Sequence, residues 1–211
     1  MVFVLALLLL LVNPFPNRES FAQSIEEIIS KIQSFYHETT SLRGSFVQET
    51  YFSNGRKEER QGKFWMKKPG LFRWEYYTPE KFIIISDGRN IYVYYPEENQ
   101  AFVYPSGRAI SSQLALGFMS GRGDITKDLK LESFRALPNN YWELTFSPAY
   151  KDEQLEKVIL KTLFPKGEVK EVFLFYFGGE KVKISFNHLE YNLELPMKIF
   201  QFNPPKNAKI N

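Results

Sequence analysis

Along most of this chain apolar and polar residues alternate with a period of two, and turn signals cut the alternation into pieces of strand length. The strand-like segments run Leu42–Phe52, Lys57–Met66, Leu71–Tyr77, Phe82–Ser86, Ile91–Tyr95 and Ala101–Tyr104, then Leu129–Ala136, Tyr141–Phe146, Leu155–Leu163, Val169–Phe177 and Lys181–Leu189, with a last one near Ile199–Phe202. Asn54-Gly55, Pro69-Gly70, Asp87-Gly88 and Pro165-Lys166-Gly167 lie between them and supply the backbone freedom that hairpin turns need. Two stretches depart from this rhythm. "SIEEIISKIQSFYH" puts Ile25, Ile28, Ile29, Ile32, Phe35 and Tyr36 on one helical stripe, opened by a capping box of Ser24 and Glu27. "AISSQLALGFMSGRGD" sets Ile110, Leu114 and Phe118 at helical spacing until the glycines from Gly117 onward stop it, which predicts a short amphipathic helix interrupting the sheet.

The pattern therefore predicts a mainly β, α+β domain: a meander of about eleven or twelve antiparallel strands with few helices. A closed barrel of about eight strands is just filled by its own side chains, so a single curved sheet of about eleven encloses more volume than its residues occupy. The inner face of such a sheet is apolar. Val182, Ile184 and Phe186 alternate with Lys183, Ser185 and Asn187, and in "KKPGLFRWEYYTP" Phe72, Trp74 and Tyr76 occupy one face of a strand. A sheet greasy inside, with a helix able to lie across its mouth, describes a container for something apolar such as an acyl chain.

Composition sharpens this reading at three points. The 211 residues suffice for one large domain and contain no linker-like stretch. Lys and Arg number 27 against 24 Asp and Glu, and a formal charge of +3 is too small to imply nucleic acid or a strongly anionic membrane surface. The chain has no cysteine, which rules out a disulfide, a thiolate metal site, a nucleophilic thiol and an acylated N-terminal cysteine. The run Val2–Val12 is apolar but shorter than a bilayer span, and "SFAQ" follows it with small residues at Ser20 and Ala22. Residues 1–22 are expected to be a signal peptide cleaved after Ala22, although no Lys or Arg precedes the apolar run; residues 23–211 are then the functional domain.

The strings "GKFWMKKPGLFRWEYYTP", "IIISDGRNIYVYYPEENQ" and "FQFNPPKNAKI" together resemble the LolA family of periplasmic outer-membrane lipoprotein carrier proteins, and the resemblance extends from Ile25 to Ile210. It implies an incomplete antiparallel β-barrel of about eleven strands. A lid of short α-helices is expected over its hydrophobic cavity. It also implies a periplasmic, monomeric carrier without cofactor or metal. Such a carrier takes acylated lipoproteins from an inner-membrane ABC release complex and hands them to an outer-membrane receptor. The residues expected to line the cavity are Phe46, Phe72, Trp74, Ile84, Leu114, Phe118 and Phe186. In the family an arginine before the proline of the first motif holds the lid; here Lys68 stands there, without the forked contacts of a guanidinium, and Lys67 or Arg73 are candidates to share its role as a latch.

Competing chemistries find little support. His37 and His188 are the only histidines and have no metal-binding partners in sequence. No phosphate loop and no GxSxG elbow occurs; Ser185 and His188, three apart in a strand, fall on opposite faces. Arg122-Gly123-Asp124 reads as a glycine-rich helix terminus and the run Arg56–Arg60 as a solvated hairpin tip. An enzyme is not expected. The alternative is a related half-barrel that binds lipid or senses lipoproteins and signals through a protein partner.

Overall fold

The computed structural model of the chain describes residues 18–105, 124–150 and 154–211, with side chains from Ile25 onward. The helix expected around Leu114 and Phe118 lies outside the described residues. Twelve strands make one sheet: β1 (Ser41–Tyr51), β2 (Lys57–Lys67), β3 (Leu71–Thr78), β4 (Phe82–Asp87), β5 (Asn90–Tyr95), β6 (Gln100–Pro105), β7 (Leu129–Ala136), β8 (Tyr141–Pro148), β9 (Leu155–Leu163), β10 (Glu168–Tyr176), β11 (Lys181–Tyr191) and β12 (Lys209–Ile210). Helix α1 spans Arg18–Glu38 and a single turn, α2, spans Ile125–Asp128.

The strand order is β12-β6-β5-β4-β3-β2-β1-β11-β10-β9-β8-β7. Two meanders thus meet where β1 pairs antiparallel with β11, Phe46 facing Phe186. Only β12 runs parallel to its neighbour, β6. Among the described residues β7 and β12 are the edges and do not pair with each other, so the sheet is an open, incomplete barrel. It must nevertheless curve. Twelve flat strands would extend roughly 50 Å, yet Phe82 of β4, Phe146 of β8 and the helix residues Ile25, Ile28, Ile32 and Tyr36 belong to one buried cluster. Inward side chains from both ends of the sheet and the apolar stripe of α1 thus share one core.

Three features differ from the sequence-based expectation. Ser24 lies inside α1 instead of capping it, because nothing after Pro16 breaks the helix and it begins at Arg18. The segment near Ile199–Phe202 is not a strand: Met197–Phe200 forms a 3-10 turn after Pro196, with Ile199 N–H donating to the Pro196 oxygen, and the prolines at 204 and 205 bring no amide for a ladder. This tail crosses the outer face of β2 and β3, where Leu195 and Phe200 are buried against Leu71 beside Trp65. Arg60, third, is not on a solvated tip. It sits within β2, its guanidinium 5.4 Å from the Phe82 ring and paired with Glu58.

The β9–β10 turn fixes α1 from one side. Val169 N–H donates to the Tyr36 hydroxyl at 3.1 Å. Gly167 adopts φ +79°, and a Cβ there would come within 2.4 Å of the Lys31 carbonyl oxygen. Glycine is required twice over, by its conformation and by helix proximity. Gly167→Ala is expected to destabilise the protein by about 2 kcal/mol or more; an unchanged urea midpoint would show that the helix is not seated on this turn.

Candidate functional site

The inner face is built around a continuous run of rings. From Phe186 on β11 it passes to Phe64 (centroids 5.5 Å apart), stacks on Trp74 at 5.0 Å, and continues through Phe46 (4.5 Å from Trp74) to Tyr76 (4.9 Å from Phe46). Tyr76 stacks on Phe82 at 4.0 Å, and Phe82 lies 5.6 Å from Tyr95 on β5. The register explains the contacts, since Phe64 faces Trp74, Trp74 faces Ile84 and Tyr76 faces Phe82 across their ladders.

Gly62 makes this run possible. It faces Phe46 across β1 and β2, and a Cβ there would lie 2.6 Å from the Phe46 ring and 2.1 Å from the Glu75 carbonyl oxygen. The missing side chain is the space over which Phe46 leans to reach β3. Nothing in the alternation singles this glycine out, because an interior glycine in a strand reads only as a weakness.

Of the expected lining residues, Phe46, Phe72, Trp74 and Phe186 are buried in this cluster and Ile84 packs against it half-buried. Leu114 and Phe118 lie outside the described residues. Phe64, Met66, Tyr76 and Phe82 were missing from the expected set and belong to the same face. Their signal was present in "GKFWMKKP", where Phe64 and Met66 alternate with Trp65. A polar fringe borders the rings at one end. Tyr76 donates to Gln48 Oε1 at 3.1 Å, and burial pushes the Tyr76 phenol well above its ordinary pKa, so it stays neutral.

Lys68 reaches α1. Its Nζ donates to the carbonyl oxygens of Tyr36 and, at 3.0 Å, His37, while its own N–H bonds the Thr40 oxygen at 2.9 Å. These are carbonyls of the last helical turn, which have no acceptor role within the helix, and a cation there also meets the negative end of the helix dipole. Partial burial lowers the Lys68 pKa from its usual value. Lys67 and Arg73 do not share these contacts. They point to the opposite face and bind the C-terminal tail, Lys67 Nζ to the Leu195 oxygen (2.8 Å) and Arg73 Nη1 to the Ile199 oxygen (3.3 Å).

A second cluster anchors the same helix. Glu168 is buried and holds the ammonium groups of Lys166 and Lys170. Lys166 lies over the rings of Phe35 and Tyr191, themselves 4.9 Å apart. Burial pushes the Glu168 carboxyl up, but the two lysines outweigh it and the net shift is downward. Ser185 and His188 do not meet: Ser185 Oγ bonds Glu171, and His188 Nδ1 lies 3.1 Å from Ser45 Oγ. Among the described residues no group of three or more His, Cys, Asp or Glu side chains is placed to hold a metal, and no helix is long and apolar enough to cross a membrane. The arrangement offers an apolar binding surface and a helix held over it by polar contacts.

Residues 37–203 match the family described as outer membrane lipoprotein carrier protein LolA. An outer-membrane lipoprotein carrier protein of Dechloromonas aromatica is 31% identical over 183 residues, 86% of each chain. One from Pseudomonas putida (strain KT2440) is 25% identical over 206 residues, covering 97% of this chain and 98% of its own. Among solved structures, an uncharacterized conserved protein from Thermus thermophilus superposes with a TM-score of 0.57 over 90% of this chain and 99% of that one; at 16% identity that likeness concerns the fold alone.

Two outcomes follow for the contacts around α1. Lys68→Leu removes a charge-assisted helix cap and is expected to cost about 1–2 kcal/mol in urea unfolding; no change would make Lys68 an incidental turn residue. Because Glu168 titrates below its unfolded value, the stability it contributes is present above about pH 4.3 and is lost as the pH falls through its lower folded pKa. Glu168→Gln should therefore flatten the acid limb of the thermal midpoint against pH, and an unaltered limb would assign acid sensitivity to other carboxylates.

Proposed function

This chain belongs to the LolA family of outer-membrane lipoprotein carrier proteins, and on that footing we propose that it binds the acyl chains of lipoproteins on its inner face and carries them across the periplasm. The observation that supports the reading is the unbroken run of rings from Phe186 to Tyr95 along the apolar inner face of an open sheet. Residues 1–22 serve as the export signal. Cleavage after Ala22 would retain Ile25, Ile28, Ile32 and Tyr36, the α1 residues buried among the described side chains.

Carriage is an energetic necessity for such cargo. Exposing a methylene costs about 0.8 kcal/mol, so a sixteen-carbon chain would cost on the order of 12 kcal/mol in water. The protein has no phosphate loop to supply work itself. Loading is driven by the inner-membrane ABC release complex, and delivery follows the higher affinity of an outer-membrane receptor. Binding must accordingly be moderate.

Helix α1 and the cargo compete for one surface. The helix shares one buried cluster with the rings, and Lys68 together with the Tyr36–Val169 bond sets how firmly it is held there. The lysine acts as the latch. It makes point-charge contacts where a guanidinium would make forked ones, which leaves the closed state easier to open.

Phe72 tests the surface directly. It lies in the inner cluster, and Phe72→Glu sets a carboxylate among hydrocarbon side chains where cargo would have to desolvate it. Purified Phe72→Glu protein that retains its β-sheet circular dichroism is expected to load acylated lipoprotein about tenfold less than the parent. Undiminished loading would take Phe72 off the cargo path.

A further inference from the structure

The inner face contains a hydrogen-bond donor with nothing to bond. Trp74 is 2% exposed, yet its indole Nε1–H meets no partner among the described residues. The surroundings explain why: its cross-strand neighbours are Phe64 and Ile84, and the rings of Phe46 and Phe186 lie at 4.5 and 6.3 Å. All are hydrocarbon. Arg60 Nε and the Tyr191 hydroxyl are also buried without a partner. The Arg60 guanidinium is otherwise engaged with Glu58, and Tyr191 lies beneath Lys166 at the far side of α1. Trp74 has a single polar group and it is unmet.

A buried donor without an acceptor costs the full desolvation of that donor, whereas a phenyl ring would occupy a similar site without it. A ligand bringing an acceptor to this point removes that cost. Acyl chains differ from plain alkyl chains in one respect: the carbon that joins them to their head group carries a carbonyl oxygen, a hydrogen-bond acceptor. We propose that the Trp74 indole N–H receives this carbonyl, so that Trp74 distinguishes acyl from alkyl lipids and fixes the head-group end of each chain beside the rings of β1 to β3. The aliphatic part of the face, with Leu144, Leu160, Val172 and Leu174, takes the hydrocarbon tail. This inference rests on the acyl-carrier reading above, and hydrophobic burial alone would not produce it, because burial responds to chain length and is blind to ester against ether.

The test compares two probes of equal chain length, dioctanoyl phosphatidylglycerol and its dioctyl ether analogue, by titration calorimetry against the full mature protein. The parent protein is expected to bind the ester about three- to tenfold more tightly. Trp74→Phe, in protein that retains its β-sheet circular dichroism, should abolish that preference, lowering ester affinity to the level of ether affinity. A readout free of mutation accompanies it: among the indole N–H resonances of the three tryptophans, that of Trp74 should move downfield with the ester and not with the ether. Equal affinity for both probes without that resonance shift overturns the inference and leaves the carrier reading standing. Binding of neither probe would overturn the carrier reading itself.

Discussion

An open sheet with an aromatic inner face cannot be left facing water, and the seating of helix α1 on that face is the interaction on which the other features depend. Ile28, Ile32 and Tyr36 bury themselves against the rings, while polar contacts from two separate turns set the helix position. From the β2–β3 turn comes Lys68, which satisfies carbonyls that the helix end leaves open. The β9–β10 turn contributes Gly167 and the Val169 amide. These turns belong to different meanders, so the helix ties together two halves of the sheet whose ladders join at β1 and β11. Hydrophobic contact supplies most of the energy, and hydrogen bonds fix the position.

Such a division suits a surface that must be covered at one time and occupied at another. Apolar contact is undirected, so on the carrier reading proposed above a lipid tail would take the place of apolar side chains of α1 in the inner cluster with little change in free energy per unit area. The polar contacts cannot be replaced in that way. A tail offers nothing to Lys68 or to the Val169 amide. Their strength is therefore the quantity that sets the balance between the covered and the occupied state, independent of how greasy the face is.

Much of this was legible in the sequence because strands announce themselves by alternation. Trp74, Phe72 and Phe186 fall on the inner face through parity alone, and the same parity sends Lys67 and Arg73 outward. What parity does not disclose is the partner on the far side. The tail that receives Lys67 and Arg73 lies well over a hundred residues away, in a segment whose prolines deny it any ladder and whose outcome depends on a docking site formed by Leu71 and Trp65. Gly62 was equally opaque, since its value is a volume left empty for Phe46. The unmet donor of Trp74 is visible only when every neighbour has been placed. Sequence showed the faces, and the contacts between distant segments required the fold.

The open edges complete the physical picture. A closed barrel fixes its enclosed volume through strand number and register, whereas a sheet with two free edges changes its interior by altering curvature, without breaking a ladder bond. Freedom of this kind carries the hazard of pairing with other chains. The two edges meet it differently. β6 is shielded by the two residues of β12, with Asn211 adding a bond to Val103, while β7 presents Lys130, Glu132 and Arg135 along its exposed length. A short cover strand and a charged edge both discourage further pairing while constraining the sheet very little. The open form of the sheet is thus kept from becoming an aggregation site while its curvature stays nearly unconstrained.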